Sequence, residues 1–180
     1  RAGVSAVLAS SPSARESGMA TSAALPAKKK GLPRRAPTSS ATGLPPETPV
    51  VEIPAGETYK HILTCTAIWE HMLKAQLDRH ALVINLGGGV IGDMGGFCAA
   101  TWKRGVDFVQ VPTTLLSMTD AAIGGKLGID FQKVKNTVGV FQNPAAVFVD
   151  PVFLATLPER ELRSGFAEVI KHALIGAPEL

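Results

Sequence analysis

Short apolar runs alternate along the chain with longer segments in which apolar residues recur at every third or fourth position. The short runs predict strands, and the longer segments predict amphipathic helices. Regular structure is expected to begin near residues 50–53, with strands at 81–86, 106–111 and 146–150. Helices are expected at about 61–77, 90–102, 114–121, 151–156 and 158–175, and a glycine-rich turn at 124–128 followed by a loop through residue 136 is expected after the third of them. This alternation indicates an α/β fold, in which helices cover a largely parallel sheet.

The first 48 residues show neither period. They are rich in Ala, Ser, Pro and Thr and contain no aromatic residue. Such a segment cannot bury enough apolar area to offset the entropy lost on ordering. We therefore expect residues 1–48 to be a disordered, low-complexity extension, or else an organelle transit peptide, whose composition is Ser-rich and basic. The first residue is Arg rather than Met, which suggests a fragment.

Charge is distributed unevenly along the chain. Residues 1–47 carry a net charge of +5, whereas residues 48–180 carry −2. The basic segment has no interleaved aromatic residues, so we expect no nucleic-acid partner. No apolar run is long enough to span a bilayer, so we expect no membrane insertion. Cys65 and Cys98 are far apart in the sequence and fit small core residues rather than a disulfide or a metal site.

A turn of three glycines is the clearest chemical signal. Gly87, Gly88 and Gly89 follow the apolar run 81–86 and precede a predicted helix. Glycine allows a tight turn and a close approach of the backbone to a ligand. The N–H groups at the start of the next helix then face an anion such as a nucleotide phosphate. Asp93 is expected in the first turn of this helix, where it would cap the helix or bind a hydroxyl group.

Further polar residues follow the strand 106–111. Thr113 and Thr114 lie at the end of that strand, the edge where open α/β sheets bind ligands. Asp120 stands in an otherwise apolar helix, where it either pairs within the fold or binds substrate hydroxyls. Lys126 follows two glycines, but the full phosphate-loop pattern of ATPases is missing. Together with Lys133, Lys135 and Asn136, Lys126 indicates anion binding.

The last predicted helix carries Glu168, Lys171 and His172 on one face, because their spacings are three and four residues. A surface ion pair is one interpretation, and it would contribute little to stability. Half of a metal site is the other, since a carboxylate and an imidazole are both zinc ligands. The remaining ligands would then have to come from elsewhere. His61, His71 and His80 do not offer a convincing set.

Taken together, these segments closely resemble the 3-dehydroquinate synthase family over residues 50 to 176. The resemblance depends on ordered motifs at 56–60, 87–93, 103–105, 111–116, 124–126, 135–136, 157–161 and 167–171. It implies a Rossmann-like parallel sheet domain, incomplete here, followed by only the first helix of an all-α domain. The implied boundaries are a partial NAD-binding domain at 49–157 and the start of a metal- and substrate-binding domain at 158–180.

The resemblance also implies a reaction. The family converts 3-deoxy-D-arabino-heptulosonate 7-phosphate, a phosphorylated keto sugar-acid, into 3-dehydroquinate and phosphate in the shikimate pathway. NAD oxidises a substrate hydroxyl and is regenerated later in the cycle. A divalent metal, zinc or cobalt, polarises the oxidised oxygen. The protein supplies orientation and electrostatics around both cofactors.

Matching positions carry the family's site residues over to this chain. The implied NAD contacts are Gly56, Glu57, Lys60, Gly88, Gly89, Val90, Asp93, Thr113, Thr114, Lys126, Lys135, Phe153 and Thr156. The implied substrate contacts are Arg104, Asp120, Lys126, Asn136, Glu168 and Lys171. Of these, Asp120, Lys126 and Lys171 are the implied catalytic residues, and Glu168 is the implied metal ligand. Arg104 is expected to come from a second subunit, because the family is commonly dimeric.

Two departures from the family pattern limit what we expect of this chain. Residues 1–48 do not resemble the strands and helices with which the family's domain begins. The helical domain that supplies two histidine ligands is absent before Leu180. With one metal ligand where three are needed, we expect the chain to be inactive and to bind zinc without a tight stoichiometric site.

Three alternatives remain open from sequence. Another sugar-phosphate cyclase would use the same cofactors to make a different carbocycle. An iron-dependent alcohol or glycerol dehydrogenase would share the glycine turn, but a small uncharged alcohol needs no set of lysines and arginine. A truncated paralogue would bind ligands without catalysis. The expected compartment is the cytoplasm, or a plastid or other organelle if residues 1–48 are a transit peptide.

Overall fold

The computed structural model describes residues 4–11 and 48–176 of the chain. Its strands are β1 (Val4–Ser11), β2 (Val50–Pro54), β3 (Leu82–Gly87), β4 (Asp107–Pro112), β5 (Lys126–Phe131), β6 (Val134–Phe141) and β7 (Ala146–Val147). Five of them form one parallel sheet in the order β2-β1-β3-β4-β7. The strands β5 and β6 form a separate antiparallel hairpin. The predicted α/β class with a Rossmann-like parallel sheet is confirmed.

Three α-helices accompany these strands: α1 (Ile62–Lys74), α2 (Gly89–Thr101) and α3 (Glu159–Ile175). Short 3-10 turns occur at Glu57–Tyr59, Trp102–Arg104 and Pro151–Thr156, and Ser117–Ala121 forms a π-helical turn. The helix that was expected to continue to residue 77 ends at Lys74, and β7 is shorter than the expected strand. Within the described residues, no helix has both the length and the apolar character needed to cross a membrane.

The strand β1 corrects the expectation that residues 1–48 lack regular structure. Val4–Ser11 lies between β2 and β3 and pairs in parallel with both. The expectation was wrong for these eight residues because strand formation depends on the partners that the tertiary fold provides. The rest of the expected extension, residues 1–3 and 12–47, lies outside the described residues.

The hairpin β5–β6 corrects a second expectation, since residues 124–136 were predicted to be a glycine-rich turn and a loop. Three consecutive residues of β5, Leu127 to Ile129, are buried, whereas Lys126 and Phe131 at its two ends are exposed. Most residues of β6, by contrast, are exposed. A strand without a buried face carries no hydrophobic period, so the sequence pattern did not reveal it.

The core lies between the sheet and the helices α1 and α2. Ile68 and Met72 of α1 and Met94 of α2 are fully or almost fully buried. Cys65 and Cys98 are free thiols with no exposed surface, which confirms the prediction that they are core residues. Burial raises the pKa of the Cys98 thiol well above its ordinary value, so the thiol stays protonated and unreactive at neutral pH.

Candidate active site

The glycine turn after β3 leads directly into α2, and no side chain caps the N-terminus of this helix. Gly88 precedes α2 and provides no side-chain cap for the first N–H groups of the helix. A β-carbon at Gly88 would lie 3.2 Å from Thr114 Cγ2, and one at Gly89 would lie 3.3 Å from Ala121 Cβ. The glycines therefore allow the turn to pack closely against the segment that follows β4. Backbone N–H groups at such a helix start are suited to bind an anion.

Lys60 is the centre of a charge network beside this turn. Only 4% of its side chain is exposed, and its ammonium donates hydrogen bonds to Asp93 Oδ2 at 2.6 Å and Asn136 Oδ1 at 2.5 Å. The Glu57 carboxylate lies 4.0 Å from the same ammonium and 3.4 Å from Lys135 Nζ. A buried ammonium requires such paired and hydrogen-bonded surroundings. Four residues predicted to bind the dinucleotide thus meet Asn136, which was predicted to contact the substrate.

Asp93 lies in the second turn of α2, and not in the first turn as expected, because the helix already begins at Gly89. Its carboxylate therefore pairs with Lys60 instead of capping the helix. Burial raises the pKa of Asp93 above its ordinary value of 3.8, although the hydrogen bond and the charge of Lys60 act in the opposite direction. Desolvation of this carboxyl thus outweighs the attraction of its partner.

A cavity of about 430 Å³ opens between α2, the π-helical turn and the hairpin. Its polar lining includes Asp93, Asp120, Lys126 and Asn136. Gly124 and Gly125 precede Lys126 and adopt positive φ angles of 88° and 64°, so glycine is required for this turn. The cavity therefore combines carboxylates that accept hydrogen bonds from hydroxyl groups with an ammonium that attracts an anion.

The helix α3 packs at a glycine against the segment that leads into the π-helical turn. Gly165 is buried, and a β-carbon there would lie 2.6 Å from both Leu115 Cβ and Leu116 N. Real β-carbons do not come so close to backbone atoms, so only glycine allows this approach. One helical turn further on, Glu168 reaches Asp120 of the π-helical turn.

The contact between α3 and the π-helical turn assembles three possible metal-binding side chains. Oxygen or nitrogen atoms of Asp120, Glu168 and His172 all lie within 4.8 Å of one another. Lys171 also forms an ion pair with Glu168. The hydrogen bond to Glu168, together with the charges of Glu168 and Asp120, raises the pKa of Lys171 above its ordinary value of 10.5. The family resemblance implies Glu168 as the one metal ligand, and the structure places two further possible donors, Asp120 and His172, beside it.

Other predicted cofactor contacts have structural roles of their own. The Thr113 N–H donates to the Gly87 carbonyl at 2.9 Å, and the Thr114 and Ser117 hydroxyls lie 2.8 Å apart. Gly56 turns the chain with a φ of 122° before the Glu57–Tyr59 turn. Phe153 and Thr156 belong to the Pro151–Thr156 turn, where the Thr156 hydroxyl donates to the Phe153 carbonyl at 3.4 Å.

Arg104 lies away from the cavity. It lines a separate pocket of about 650 Å³ together with Asp78, Arg79, His80 and Lys103. These residues precede β3 and β4, whereas the glycine turn follows β3. Because the strands are parallel, the pocket lies at the amino ends of β3 and β4, and the glycine turn lies at their carboxyl ends. The structure therefore does not bring Arg104 together with the other predicted substrate contacts of the same chain.

The match to a family of known proteins agrees with this arrangement. The family model described as 3-dehydroquinate synthase N-terminal matches residues 50–164, from β2 into α3. The chain belongs to the 3-dehydroquinate synthase family. The resemblance found in the sequence motifs is thereby confirmed.

Curated relatives give the same result. The 3-dehydroquinate synthase of Synechocystis sp. is 54% identical over 128 residues, which are 71% of this chain and 36% of that protein. The 3-dehydroquinate synthase of Halorhodospira halophila is 50% identical over 132 residues, which are 73% of this chain and 37% of that protein. The chain thus spans about a third of the length of the curated relatives it matches.

Solved structures of sugar-phosphate cyclases share the fold. A 2-epi-5-epi-valiolone synthase from Streptomyces hygroscopicus subsp. jinggangensis 5008, with NAD+ and Zn2+ bound, is 38% identical with a TM-score of 0.70. That match covers 72% of this chain and 36% of the other. A 2-deoxy-scyllo-inosose synthase complexed with carbaglucose-6-phosphate, NAD+ and Co2+ is 26% identical with a TM-score of 0.71. It covers 96% of this chain and 43% of the other.

Proposed function

We propose that this chain carries the dinucleotide-binding part and one side of the substrate site of a 3-dehydroquinate synthase. The reaction is the conversion of 3-deoxy-D-arabino-heptulosonate 7-phosphate into 3-dehydroquinate and inorganic phosphate. The observation that supports this proposal is the cavity in which Asp120, Lys126 and Asn136 meet the Lys60–Asp93 pair. The membership of the chain in the family supplies the reaction class.

NAD is the cofactor in this proposal. Its pyrophosphate would bind to the open N-terminus of α2, against the backbone of Gly88, Gly89 and Val90. Asp93 and Lys60 lie beside that turn and would bind the polar groups of the dinucleotide. When bound, NAD supplies the reversible oxidation of a substrate hydroxyl. The NAD+ in both solved cyclases supports this assignment.

The substrate carries a carboxylate, a phosphate and several hydroxyls, and the cavity, together with Lys171 of α3, offers partners for each. The Lys126 and Lys171 ammonium groups would neutralise the anionic groups, and Lys126 would lie between the substrate and the nicotinamide. The Asp120 carboxylate would accept a hydrogen bond from a substrate hydroxyl and hold it in one orientation. Asn136 would fix the opposite side of the substrate through its amide.

A divalent metal fits the donor set beside Asp120. Glu168 would hold the ion, with Asp120 and His172 as neighbouring donors. One imidazole and two carboxylates suit zinc or cobalt, and such an ion, when bound, polarises a substrate oxygen. Two donors on one tetrahedral zinc lie only about 3.3 Å apart, so these side chains would have to close in. Lys171 would also have to leave Glu168.

A homodimer in the cytoplasm, or in an organelle if residues 1–48 act as a transit peptide, completes the proposal. Arg104 lies at the opposite end of the strands from the glycine turn, so it cannot contact a substrate in the cavity of its own chain. A second copy would therefore supply Arg104 to the substrate. Analytical ultracentrifugation of the purified protein tests this assembly.

A chimera tests the reaction. Residues 50–176 of this chain would replace the matching segment of the Synechocystis relative, and phosphate release and the carbocyclic product would be measured with NAD and zinc present. We expect formation of 3-dehydroquinate. An Asp120→Asn version of the same chimera should lose most of this activity, while Lys74→Met, a change on an exposed helix residue, should keep it. A folded, NAD-binding chimera without dehydroquinate formation would contradict the proposal.

The other cyclases provide the competing product. The likeness to the 2-epi-5-epi-valiolone synthase indicates that this scaffold also supports a different cyclisation. Incubating the chimera with a heptulose phosphate that lacks the carboxylate, in place of the acidic substrate, separates the two activities. If only the substrate without a carboxylate is turned over, the chain belongs to a cyclase with another product.

A further inference from the structure

The pairing between β5 and β6 is interrupted at Asp130. Ile129 pairs with Val138 and Phe131 pairs with Val134, so a single residue of β5 faces the three residues 135–137 of β6. The regular ladder of hydrogen bonds cannot continue across this bulge. The backbone groups of the bulge therefore need other partners.

Asn136 lies within this bulge and has a left-handed backbone, with a φ of 51°. Its backbone N–H donates a hydrogen bond to Asp130 Oδ1 at 2.9 Å. The Asp130 carboxylate thus replaces the acceptor that the ladder no longer provides. Hydrogen bonds to a charged carboxylate are stronger than neutral ones, so this bond holds Asn136 in an uncommon conformation.

Asp130 also holds the backbone of Lys60. Its own N–H donates to the Lys60 carbonyl at 2.8 Å, and His61 forms a parallel bridge with it. The Lys60 ammonium in turn donates to the Asn136 side-chain carbonyl at 2.5 Å. The three residues form a closed ring of hydrogen bonds, in which Asp130 fixes the other two.

We propose that Asp130 is a positioning residue that holds the Asn136 amide and the Lys60 ammonium in place for the ligand of the cavity. This inference rests on the proposed function, because it takes the ligand to be NAD. Asp130 does not line the cavity itself and acts through Lys60 and Asn136. Its loss should let the bulge relax, and Asn136 Oδ1 would no longer hold the ammonium beside Asp93.

The test compares three variants of the full chain. Asp130→Ala removes the acceptor, whereas Asp130→Asn keeps an amide oxygen that can accept the same hydrogen bond. The control, Asp107→Ala, removes an exposed carboxylate at the amino end of β4. Two quantities are measured at a temperature at which every variant is folded. They are the Kd for NAD by calorimetry and the hydrogen-exchange protection of the Asn136 backbone N–H by NMR.

For Asp130→Ala we expect NAD binding to weaken about tenfold, the loss of one hydrogen bond to a charged group. The Asn136 amide should lose its protection in the same variant. Asp130→Asn and Asp107→Ala should bind NAD within about twofold of the unmodified chain, and their Asn136 amide should stay protected. Rescue by Asp130→Asn separates positioning from a general loss of stability.

Unchanged NAD binding and a protected Asn136 amide in Asp130→Ala would overturn the inference. Equal weakening in Asp130→Asn and Asp130→Ala would overturn it as well, because the acceptor oxygen would then be irrelevant. If the unmodified chain does not bind NAD, the proposed function fails for this chain. Amide exchange alone then decides: loss of protection confined to Asp130→Ala supports positioning by Asp130, and retained protection refutes it.

Discussion

Replacing Lys60 by Met tests whether the buried charge network stabilises the fold. The change keeps the length of the side chain but removes the ammonium that contacts Asp93 at 2.6 Å and Asn136 at 2.5 Å. At an effective dielectric constant of about 20, the charge pair alone would contribute about 6 kcal/mol of attraction. Desolvation offsets part of this attraction, because burial raises the pKa of Asp93 despite its partner.

The expected net effect follows from the charge that remains. Breaking a buried ion pair by removing one partner costs about 3–5 kcal/mol, and the 19% exposure of the Asp93 side chain favours the low end, about 3 kcal/mol. Urea unfolding of Lys60→Met at about pH 8 measures the loss. The control is Lys74→Met on the exposed side of α1, which should change stability by less than about 0.5 kcal/mol.

The stability lost in Lys60→Met should depend on pH through the protonation of Asp93. The hydrogen bond and the charge of Lys60 lower the pKa of Asp93, so the variant raises that pKa further above the unfolded value of 3.8. Protonation then stabilises the folded state more than the unfolded state. The deficit of Lys60→Met is therefore fully present above the Asp93 pKa of the folded variant, shrinks as the pH falls through that pKa, and levels off below the Asp93 pKa of the folded unmodified chain.

Adding Asp93→Asn to Lys60→Met should restore at least half of the lost stability at about pH 8, since no uncompensated charge remains. The reasoning would be refuted if Lys60→Met lost less than about 1 kcal/mol, or if its deficit grew on acidification. A deficit that is independent of pH and unaffected by Asp93→Asn would assign the loss to packing instead.

The remaining predictions concern α3 and its contacts. Gly165→Ala should destabilise the chain by about 2 kcal/mol in urea unfolding, because the new methyl group overlaps the Leu116 backbone and the Leu115 side chain, just before the π-helical turn. Gly176→Ala is the control, since no atom of the described residues lies within 4 Å of a β-carbon at that position. Equal losses in the two variants would contradict the close approach of α3 at Gly165. Calorimetric titration with zinc should show binding weaker than micromolar, further weakened by Glu168→Gln, and a stoichiometric micromolar site would show that three donors suffice. The Lys171 side chain, followed by NMR, should titrate above 10.5, and Glu168→Gln should lower the pKa of Lys171. The ion pair of Lys171 stabilises the fold below pH 10.5, and this stabilisation is lost as the pH rises through the pKa of Lys171 in the folded chain.

Where local sequence determines local structure, the sequence predicted the molecule well. The apolar runs that became β3 and β4 and the glycine turn between β3 and α2 follow from hydrophobic burial and backbone freedom. Asp120 and Glu168 were recognised because carboxylates within apolar helical segments are costly unless they bind a partner. The structure brings these two carboxylates together on different elements.

Structure that depends on distant partners was missed. Val4–Ser11 forms a strand because β2 and β3 pair with it on both sides, and its short apolar run stands in an Ala-, Ser- and Pro-rich segment that shows no strand period. The close approach of α3 depends on Gly165 facing Leu115, a contact across fifty residues of sequence. The role of Asp130 likewise depends on a bulge in a hairpin whose exposed strand carries no period.

The position of Asp120 depends on an irregular helical turn rather than on periodicity. An ordinary helix was predicted over 114–121, but Ser117–Ala121 is π-helical, with the Ala122 N–H donating to the Ser117 carbonyl at 3.0 Å. A π turn contains one residue more than an α turn, and each residue advances a helix by about 100°. The Ser117 hydroxyl donates to the Thr114 carbonyl at 2.9 Å, and the same carbonyl also accepts the regular backbone bond from the Met118 N–H at 3.0 Å. The Thr114 hydroxyl, predicted from sequence as a ligand contact, lies 2.8 Å from the Ser117 hydroxyl and so contacts the first residue of the turn that brings Asp120 to Glu168.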